Sequence, residues 1–250
     1  MIHLGDCRKV LPELSELGAQ AIVTSPPYWC QRDYGHPDQI GLEIVLGDYI
    51  EALVQVFRLA RNALKPRGVL WLNLGDTYHG AGYSNHKVNG DKWAGAMNGD
   101  KRRSRQQDLI RANPQLKPKD LAGVPWRVAL ALQADGWFLR SEVIWAKTRA
   151  MPDAALDRPA KSHEHIFLLT SSRQVDYWDR SLKLRDVWSI APASSRRGHF
   201  ATFPEEIAER CIVSSCPKGA IVLDPFCGTG TVGRVAERLG REFVGIDVNP

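Results

Sequence analysis

Two short segments hold the residues best suited to chemistry. The first, Ser25-Pro26-Pro27-Tyr28, directly follows the apolar run at 20–24. Proline fixes φ at about −65° and lacks an N–H group, so two consecutive prolines hold the neighbouring oxygen atoms in place. Ser25 Oγ and the Pro26 carbonyl could accept hydrogen bonds from an amine, and Tyr28 could stack on a planar base. The segment is a candidate amine-binding turn, with a plain strand-ending turn as the alternative.

The second segment, "AIVLDPFCGTGTVG" at 220–233, ends an apolar run and opens a helical one. Its Gly228, Gly230 and Gly233 satisfy G-x-G-x-x-G, in which glycines allow close backbone approach and a helix N-terminus presents free N–H groups. Asp247 ends the next apolar run, where a carboxylate can accept hydrogen bonds from ribose hydroxyls. Together these features predict a nucleoside cofactor.

Asp224 narrows the choice of nucleoside. A carboxylate just ahead of the glycine loop would repel a pyrophosphate, but it can balance the cationic amine and sulfonium of S-adenosylmethionine. A nicotinamide-dependent dehydrogenase stays open as an alternative. It would explain the glycines and Asp247 but not the segment Ser25 to Tyr28.

The elements that must position these segments alternate along the chain. Apolar runs predict strands, and helical spacing or start and stop signals predict helices. Thr202 is predicted as an N-cap, with Pro204 in the first turn and Glu205 completing a capping box. The pattern predicts an α/β fold whose mostly parallel sheet has helices on both faces, so that loops at the strand ends line one crevice. The predicted strands are 20–24, 69–75, 137–147, 163–172, 220–224 and 242–247, and the helices are 48–65, 120–136, 202–215 and 231–240.

Composition fits a single domain. The chain has 250 residues, of which 44% are hydrophobic and 24% charged. It has no long apolar run and no signal-like N-terminus, so we expect a soluble cytoplasmic protein that does not bind a membrane. The five cysteines lack the spacing of a zinc site, so we expect reduced, mostly buried thiols and no metal.

Positive charge is concentrated in one stretch. The net charge is +5, and 78–120 holds nine Lys or Arg against four Asp, so the rest of the chain is neutral. This stretch has no apolar period and is predicted to be a basic, mobile insertion that suits a polyanion. A solvated loop without a partner is the alternative. The segment 173–200 is also basic and aromatic.

Both chemical segments resemble one known family. "DPFCGTGT" resembles the methyl-donor loop of amino-group DNA methyltransferases, and Ser25-Pro26-Pro27-Tyr28 resembles their catalytic motif. The catalytic motif comes first, an order similar to the circularly permuted β group. Further similarity runs through "LKPRGVLWLNLGD", "GVPWRVALALQADGW" and "DRPAKSHEHIFLLT". The resemblance implies a Rossmann-like methyltransferase fold over 1–250, S-adenosyl-L-methionine as cofactor, and double-stranded DNA with a flipped-out base as substrate.

The resemblance also assigns cofactor contacts. Asp6 would contact the adenine, although a loop aspartate that caps a local turn is an equal alternative. Asp247 would bind the ribose. The methionine end would contact Asp224, Pro225, Phe226, Gly228, Thr229, Gly230 and Thr231, together with Thr202, Phe203 and Pro204.

The identity of the methylated amine depends mainly on Ser25. In the family, Ser at this position goes more often with N4 of cytosine and Asp more often with N6 of adenine. N4-cytosine is therefore expected, and N6-adenine is the alternative. A C5-cytosine enzyme needs a nucleophilic cysteine in a Pro-Cys dipeptide, and the chain contains no such dipeptide. An RNA or protein-amide methyltransferase and a non-catalytic DNA-binding protein are more distant alternatives.

DNA contacts are expected outside the two motifs. The family places target recognition at 173–200, and the basic insertion could share it. Residues just past the catalytic turn could shape the base pocket. A homodimer and a paired restriction endonuclease of a prokaryotic or phage system are open possibilities. The candidate DNA-binding residues are Trp29, Arg32, Tyr34, Arg102, Arg103, Arg105, Arg149, Arg180, Lys183, Arg185, Arg196 and Arg197.

Overall fold

An eight-stranded mixed sheet forms the centre of the molecule. The computed structural model describes residues 1–79, 115–150, 152–153, 155–193 and 203–249. The sheet order is β1-β8-β7-β2-β3-β5-β4-β6, and only the pairs that involve β5 are antiparallel. The strands are β1 Ile2–Leu4, β2 Ala19–Thr24, β3 Leu64–Leu74, β4 Phe138–Lys147, β5 His163–Thr170, β6 Val187–Ile190, β7 Ile221–Asp224 and β8 Glu242–Asp247.

Helices cover both faces of this sheet, which confirms the predicted fold class. Every residue of β2 is buried, and its alternate side chains enter two separate cores: Ile22 packs with one, Ala21 and Val23 with the other. α1, α2 and α3 cover the first face, and α4 and α5 cover the second. The helices are α1 Cys7–Val10, α2 Leu46–Asn62, α3 Val124–Ala134, α4 Glu205–Ser215 and α5 Thr231–Arg238.

The boundary between α2 and β3 differs from the prediction. The helix ends at Asn62 and the strand begins at Leu64, so Pro66 and Gly68 lie inside β3. The register with β2 jumps from Ala19↔Leu64 to Ala21↔Val69. This irregularity accommodates a proline that cannot donate to the ladder.

The start of α4 also differs. The helix begins at Glu205 with Pro204 at the N-cap, and no side chain caps it. Pro204 has φ −64° and ψ 137°, an extended conformation that the proline ring favours. Pro204 therefore precedes the first turn and the predicted capping box does not form at Glu205. Thr202 lies outside the described residues.

Part of 173–200 builds the sheet and the core. Val187–Ile190 forms the edge strand β6, which pairs with β4 in parallel. Trp178 and Trp188 pack on Trp71 of β3, with ring centroids 6.0 and 5.9 Å apart. Two of the aromatic residues in this segment therefore stabilise the fold, and its remaining candidate recognition role stays a prediction.

The sheet gathers the chemical segments at one edge. β1, β2, β3, β7 and β8 run in the same direction, so Gly5, Ser25, Gly75, Pro225 and Val248 all follow strand ends at that edge. β5 runs in the opposite direction and begins there. All five cysteines are buried, as predicted. Across the described residues, no helix is long and apolar enough to cross a membrane.

Candidate active site

The glycine loop between β7 and α5 has the backbone geometry that its sequence predicts. Gly228 and Gly230 have φ of +48° and +73°, the left-handed region that glycine adopts without strain. Gly233 lies where a Cβ would be 2.6 Å from Cε1 of Phe243. The third glycine therefore allows α5 to pack closely on β8, whereas the first two shape the loop.

Asp224 ends β7 beneath this loop and is buried. Its Oδ1 accepts hydrogen bonds from Thr24 Oγ1 at 2.6 Å and from the Phe226 N–H at 3.0 Å. Burial is the main cause that raises the pKa of this carboxyl group to about 7. A cationic ligand nearby would favour the ionised carboxylate, so the site fits a positively charged group.

Asp247 and Asp6 lie on the other side of the loop. Asp247 Oδ2 accepts from the Gly228 N–H at 2.7 Å, and Oδ1 accepts from the Asn249 N–H at 2.8 Å. Asp6 is the N-cap of α1 and accepts from the backbone and side chain of Arg8. The turn-capping interpretation of Asp6 is thus confirmed, while the adenine contact stays a prediction.

One pocket joins the donor loop to the proline turn. Ser25 and Pro27 line it opposite Phe226, with Asp6 and Asp247 nearby. The two motifs therefore face each other, as the strand-end argument predicts. The segment 38–40 also contributes to the wall, and sequence reasoning missed it because it lies in an irregular loop with no motif. The full lining is Gly5, Asp6, Cys7, Ser25, Pro27, Tyr34, Asp38, Gln39, Ile40, Pro225, Phe226, Gly228, Asp247, Val248 and Asn249.

Several predicted cofactor residues are not part of this wall. Phe203 packs against the core on the α4 side of the sheet. Thr231 is buried, and its hydroxyl accepts from Arg234 at 3.1 Å. Within the described part of the chain, Phe203, Pro204, Asp224, Thr229, Gly230 and Thr231 do not line the pocket.

Neighbouring elements hold the proline turn rigidly. Tyr49 of α2 donates its hydroxyl to the Pro27 carbonyl at 2.8 Å. Gly75, just after β3, lies against the Tyr28 ring, because a Cβ there would be 2.5 Å from Tyr28 Cε2. One face of the turn therefore packs on α2, and the aromatic ring packs on the backbone of the adjacent strand end.

The Tyr28 hydroxyl is the centre of a polar network. It donates to Glu164 Oε2 at 2.6 Å and accepts from Asn73 Nδ2 at 2.7 Å. Ser25 Oγ lies 3.3 Å from the same hydroxyl, and Lys147 Nζ contacts Glu164 Oε1 at 2.5 Å. Burial and the Glu164 carboxylate raise the pKa of the Tyr28 phenol well above its usual value.

Asn73, Lys147 and Glu164 were missed at the sequence level. A signal was present, since Asn73 interrupts the apolar run of β3 and Glu164 is a carboxylate within the buried strand β5. A buried polar side chain in such a run usually has a partner. Nothing in the sequence, however, shows that β3 and β5 are neighbours.

One of the predicted DNA contacts near the turn needs correction, and the roles of Arg32 and Tyr34 stay predictions. Trp29 is only 1% exposed and donates its indole N–H to the Glu43 carbonyl at 2.8 Å, so it belongs to the core and not to the surface of a base pocket. Tyr34 lines the pocket shared with Asp6 and Asp247. The Arg32 guanidinium lies 5.8 Å from the centroid of the Tyr34 ring.

The other predicted DNA contacts lie in different places. Arg149 is exposed just after β4, at the same edge of the sheet as Ser25. Arg180 follows Asp179, whose N–H donates to the Ser214 carbonyl at the C-terminal end of α4. This position is near the edge of the sheet opposite to Ser25. Lys183 and Arg185 lead to β6, which three strands separate from β2. The structure does not bring these last three residues to the pocket. Arg102, Arg103, Arg105, Arg196 and Arg197 lie outside the described residues.

Comparisons with known proteins agree with this arrangement. The family model described as DNA methylase, of N6 and N4 type, matches residues 19–250. Type II methyltransferase M.Cfr9I of Citrobacter freundii is 42% identical over 98% of this chain and 82% of its own length. Type II methyltransferase M.SmaI of Serratia marcescens is 42% identical over 99% of this chain and 86% of its own length.

Two solved structures share the fold. The cytosine-N4-specific PvuII DNA methyltransferase has a TM-score of 0.72 at 19% identity, covering 100% of this chain and 82% of that one. The M1.HpyAVI protein in complex with S-adenosylmethionine has a TM-score of 0.62 at 15% identity, covering 100% of this chain and 94% of that one.

Proposed function

The chain belongs to the family of N6/N4 DNA methylases, and we propose that it transfers the methyl group of S-adenosyl-L-methionine to the N4 amine of a flipped-out cytosine in duplex DNA. The observation that carries the proposal is the shared pocket, in which Ser25 and Pro27 lie opposite Phe226 and Asp247. This arrangement supports methyl transfer between a nucleoside cofactor and an amine held at the proline turn.

The donor half of the pocket suits the cofactor. S-adenosyl-L-methionine supplies an electrophilic methyl group on a sulfonium. Asp224 is buried directly behind Pro225 of the pocket wall, and within the described residues it forms no ion pair. Its carboxylate would balance the positive charge of the methionine end. Asp247 would accept hydrogen bonds from the ribose, because its oxygens retain lone pairs beside the Gly228 and Asn249 amides.

The acceptor half suits an exocyclic amine. The lone pair of such an amine is delocalised into the ring, so the nitrogen is a weak nucleophile until its hydrogens are held by fixed acceptors. Ser25 Oγ and the Pro26 carbonyl would be those acceptors, pre-organised by the two prolines. An amine paired inside a duplex cannot reach this turn, so the base must be flipped out.

Cytosine is favoured over adenine by the residue at the first position of the motif. Ser25 stands where the family resemblance associates Ser with N4-cytosine enzymes. The PvuII enzyme, which shares the fold, is named as cytosine-N4-specific. We extend the proposal to a modification role beside a restriction endonuclease, because the relatives at 42% identity are named Type II methyltransferases.

Tritiated methyl transfer to duplex DNA, followed by nucleoside mass spectrometry, tests the proposal. N4-methylcytosine is expected. N6-methyladenine would correct the base, and absence of label in DNA would overturn the proposed function.

Ser25→Ala and Tyr28→Ala are expected to lose methylation and to keep cofactor binding, measured by calorimetry, because both residues lie on the acceptor half. Ser15→Ala is the matched control, since Ser15 is an exposed serine before β2 at the far edge of the sheet. A fully active Ser25→Ala variant would show that Ser25 Oγ is not an essential acceptor.

A further inference from the structure

Glu164 is a buried carboxylate that the proposed chemistry has not used. It is 8% exposed, near the start of β5 at the edge that holds the proline turn. Its Oε2 accepts from Tyr28 and from Asn73, and its Oε1 accepts from Lys147. Removing a carboxylate from water is costly even when both of its oxygens accept hydrogen bonds. We therefore expect Glu164 to have a role beyond packing.

The donors and acceptors give this network a direction. An ionised carboxylate only accepts, so the single Tyr28 proton must point to Glu164 Oε2, 2.6 Å away. The Asn73 amide nitrogen only donates, and it contacts Tyr28 Oη and Ser25 Oγ at 2.7 and 3.3 Å. Since the Tyr28 proton is already used, the 3.3 Å contact between the two hydroxyls requires Ser25 to donate.

One lone pair of Ser25 Oγ accepts from Asn73, and the other remains available to an incoming amine. Each hydroxyl donates to the next oxygen, from Ser25 to Tyr28 to Glu164. Such a chain can pass one proton from the amine to the carboxylate without moving any heavy atom.

On the basis of the proposed amine methylation, we propose that Glu164 is the final proton acceptor of the reaction. It acts through Tyr28 and Ser25 and does not itself touch the substrate. As the amine nitrogen bonds the donor methyl carbon, the carbon–sulfur bond breaks and its electron pair stays on sulfur. The nitrogen then loses one proton to Ser25 Oγ, the Ser25 proton passes to Tyr28 Oη, and the Tyr28 proton passes to Glu164 Oε2. Glu164 ends neutral and later releases the proton to water.

Lys147 completes the arrangement. Its ammonium contacts Glu164 Oε1 at 2.5 Å and lies 4.8 Å from the centroid of the Trp145 ring. It balances the carboxylate before the proton arrives, and both side chains belong to neighbouring antiparallel strands, β4 and β5. Glu164, the proposed proton acceptor, is thus held by the sheet and not by a loop.

The test compares Glu164→Gln, Tyr28→Phe and the double variant in single-turnover methylation of duplex DNA. Both single changes keep the size of the side chain and break the proton path, so each rate should fall by about 100-fold. Because the two residues act in series, removing both should cost little more than removing one. The double variant should be at most about threefold slower than the slower single variant. Losses that multiply in the double variant would overturn the proposal, as would a Glu164→Gln enzyme with the wild-type rate.

A second readout does not depend on activity. The pKa of the Tyr28 phenol, followed by NMR of ¹³C-labelled tyrosine and assigned with Tyr28→Phe, should fall in Glu164→Gln because the neighbouring negative charge is gone. An unchanged pKa would show that the two groups are not coupled and would overturn the relay. Affinity for S-adenosylmethionine should stay the same in all three variants.

Glu142→Gln is the matched control. Glu142 is a partly buried carboxylate on β4 that contacts His165 Nδ1 at 2.5 Å and lies outside the hydrogen-bond network of Tyr28. The Glu142→Gln enzyme should methylate DNA at the wild-type rate. A loss of rate as large as in Glu164→Gln would overturn the assignment to Glu164. The relay is independent of which base is labelled, so detection of N6-methyladenine would correct the proposed base without removing this test.

Discussion

The two halves of the pocket are built in different ways. The donor half comes mainly from the contiguous β7–α5–β8 unit, with Asp6 added after β1. Its geometry depends on backbone: two left-handed glycines and amides that bond Asp247. The acceptor half comes from residues far apart in sequence, and its geometry depends on side chains: Ser25, Tyr28, Asn73 and Glu164.

This difference has a chemical reason. A nucleoside cofactor presents groups that backbone amides and a few carboxylates can bind, so a loop and a helix start suffice. Activation of a weak nucleophile needs acceptors fixed to within a fraction of an ångström, which rigid side chains on neighbouring strands provide. The two halves should therefore fail in separate ways when each is perturbed.

Gly75→Ala should cause the largest effect, on the acceptor half alone. The new Cβ would lie 2.5 Å from Tyr28 Cε2 and 2.9 Å from Cδ2, so the ring must move away from Asn73 and Glu164. A displacement of about 1 Å at a reacting group can lower the rate by about 100-fold. Single-turnover methylation measures the rate, and calorimetry should show unchanged cofactor affinity. A wild-type rate would mean that the position of Tyr28 does not govern transfer.

Gly233→Ala should perturb the donor half through stability. Its Cβ would lie 2.6 Å from Phe243 Cε1, inside the contact between α5 and β8. Overpacking of this kind lowers the free energy of unfolding by about 1–3 kcal/mol, which urea denaturation measures. Gly47→Ala is the control for both glycine variants, since its Cβ would find nothing closer than 3.9 Å. Equal stability of Gly233→Ala and Gly47→Ala would contradict the close-packing role of the third glycine.

The same contrast explains what the sequence could predict. Strands, helices and the glycine loop depend on local patterns, so the parallel core of the sheet and the opposed motifs were predicted correctly. The Asn73–Glu164 contact depends on β3 pairing with β5, which no local pattern reveals.

Trp29 shows the opposite error, in which nearness in sequence was mistaken for nearness in space. Cys30 has φ +52° and its N–H bonds the Gly41 carbonyl, so the chain turns inward directly after Tyr28. That reversal buries Trp29 in the core. Its cause is a tertiary hydrogen bond to a segment that carries no motif.

Asp224→Asn should have the smallest effect, again on the donor half. The change removes the buried negative charge, so affinity for the cationic cofactor should fall by about tenfold, equal to about 1.4 kcal/mol. Calorimetry measures this. The free protein should become more stable at pH 8, because Asn carries no charge to desolvate. Thr24→Val, which removes one hydrogen bond to Asp224 and keeps the charge, is the control and should bind the cofactor more tightly than Asp224→Asn does.

The pH dependence of cofactor binding tests the same charge without any mutation. The pKa of Asp224 is raised to about 7 in the folded protein from 3.8, so the folded state holds a proton that the unfolded state releases between these values. This contribution to stability is present below pH 3.8 and is lost as pH rises through about 7. The cationic cofactor favours the ionised form, so its affinity should rise with pH toward 7 by up to about tenfold per unit and then level off. Asp224→Asn should remove this dependence, whereas a flat profile in the wild-type protein would show that Asp224 does not face the cofactor charge.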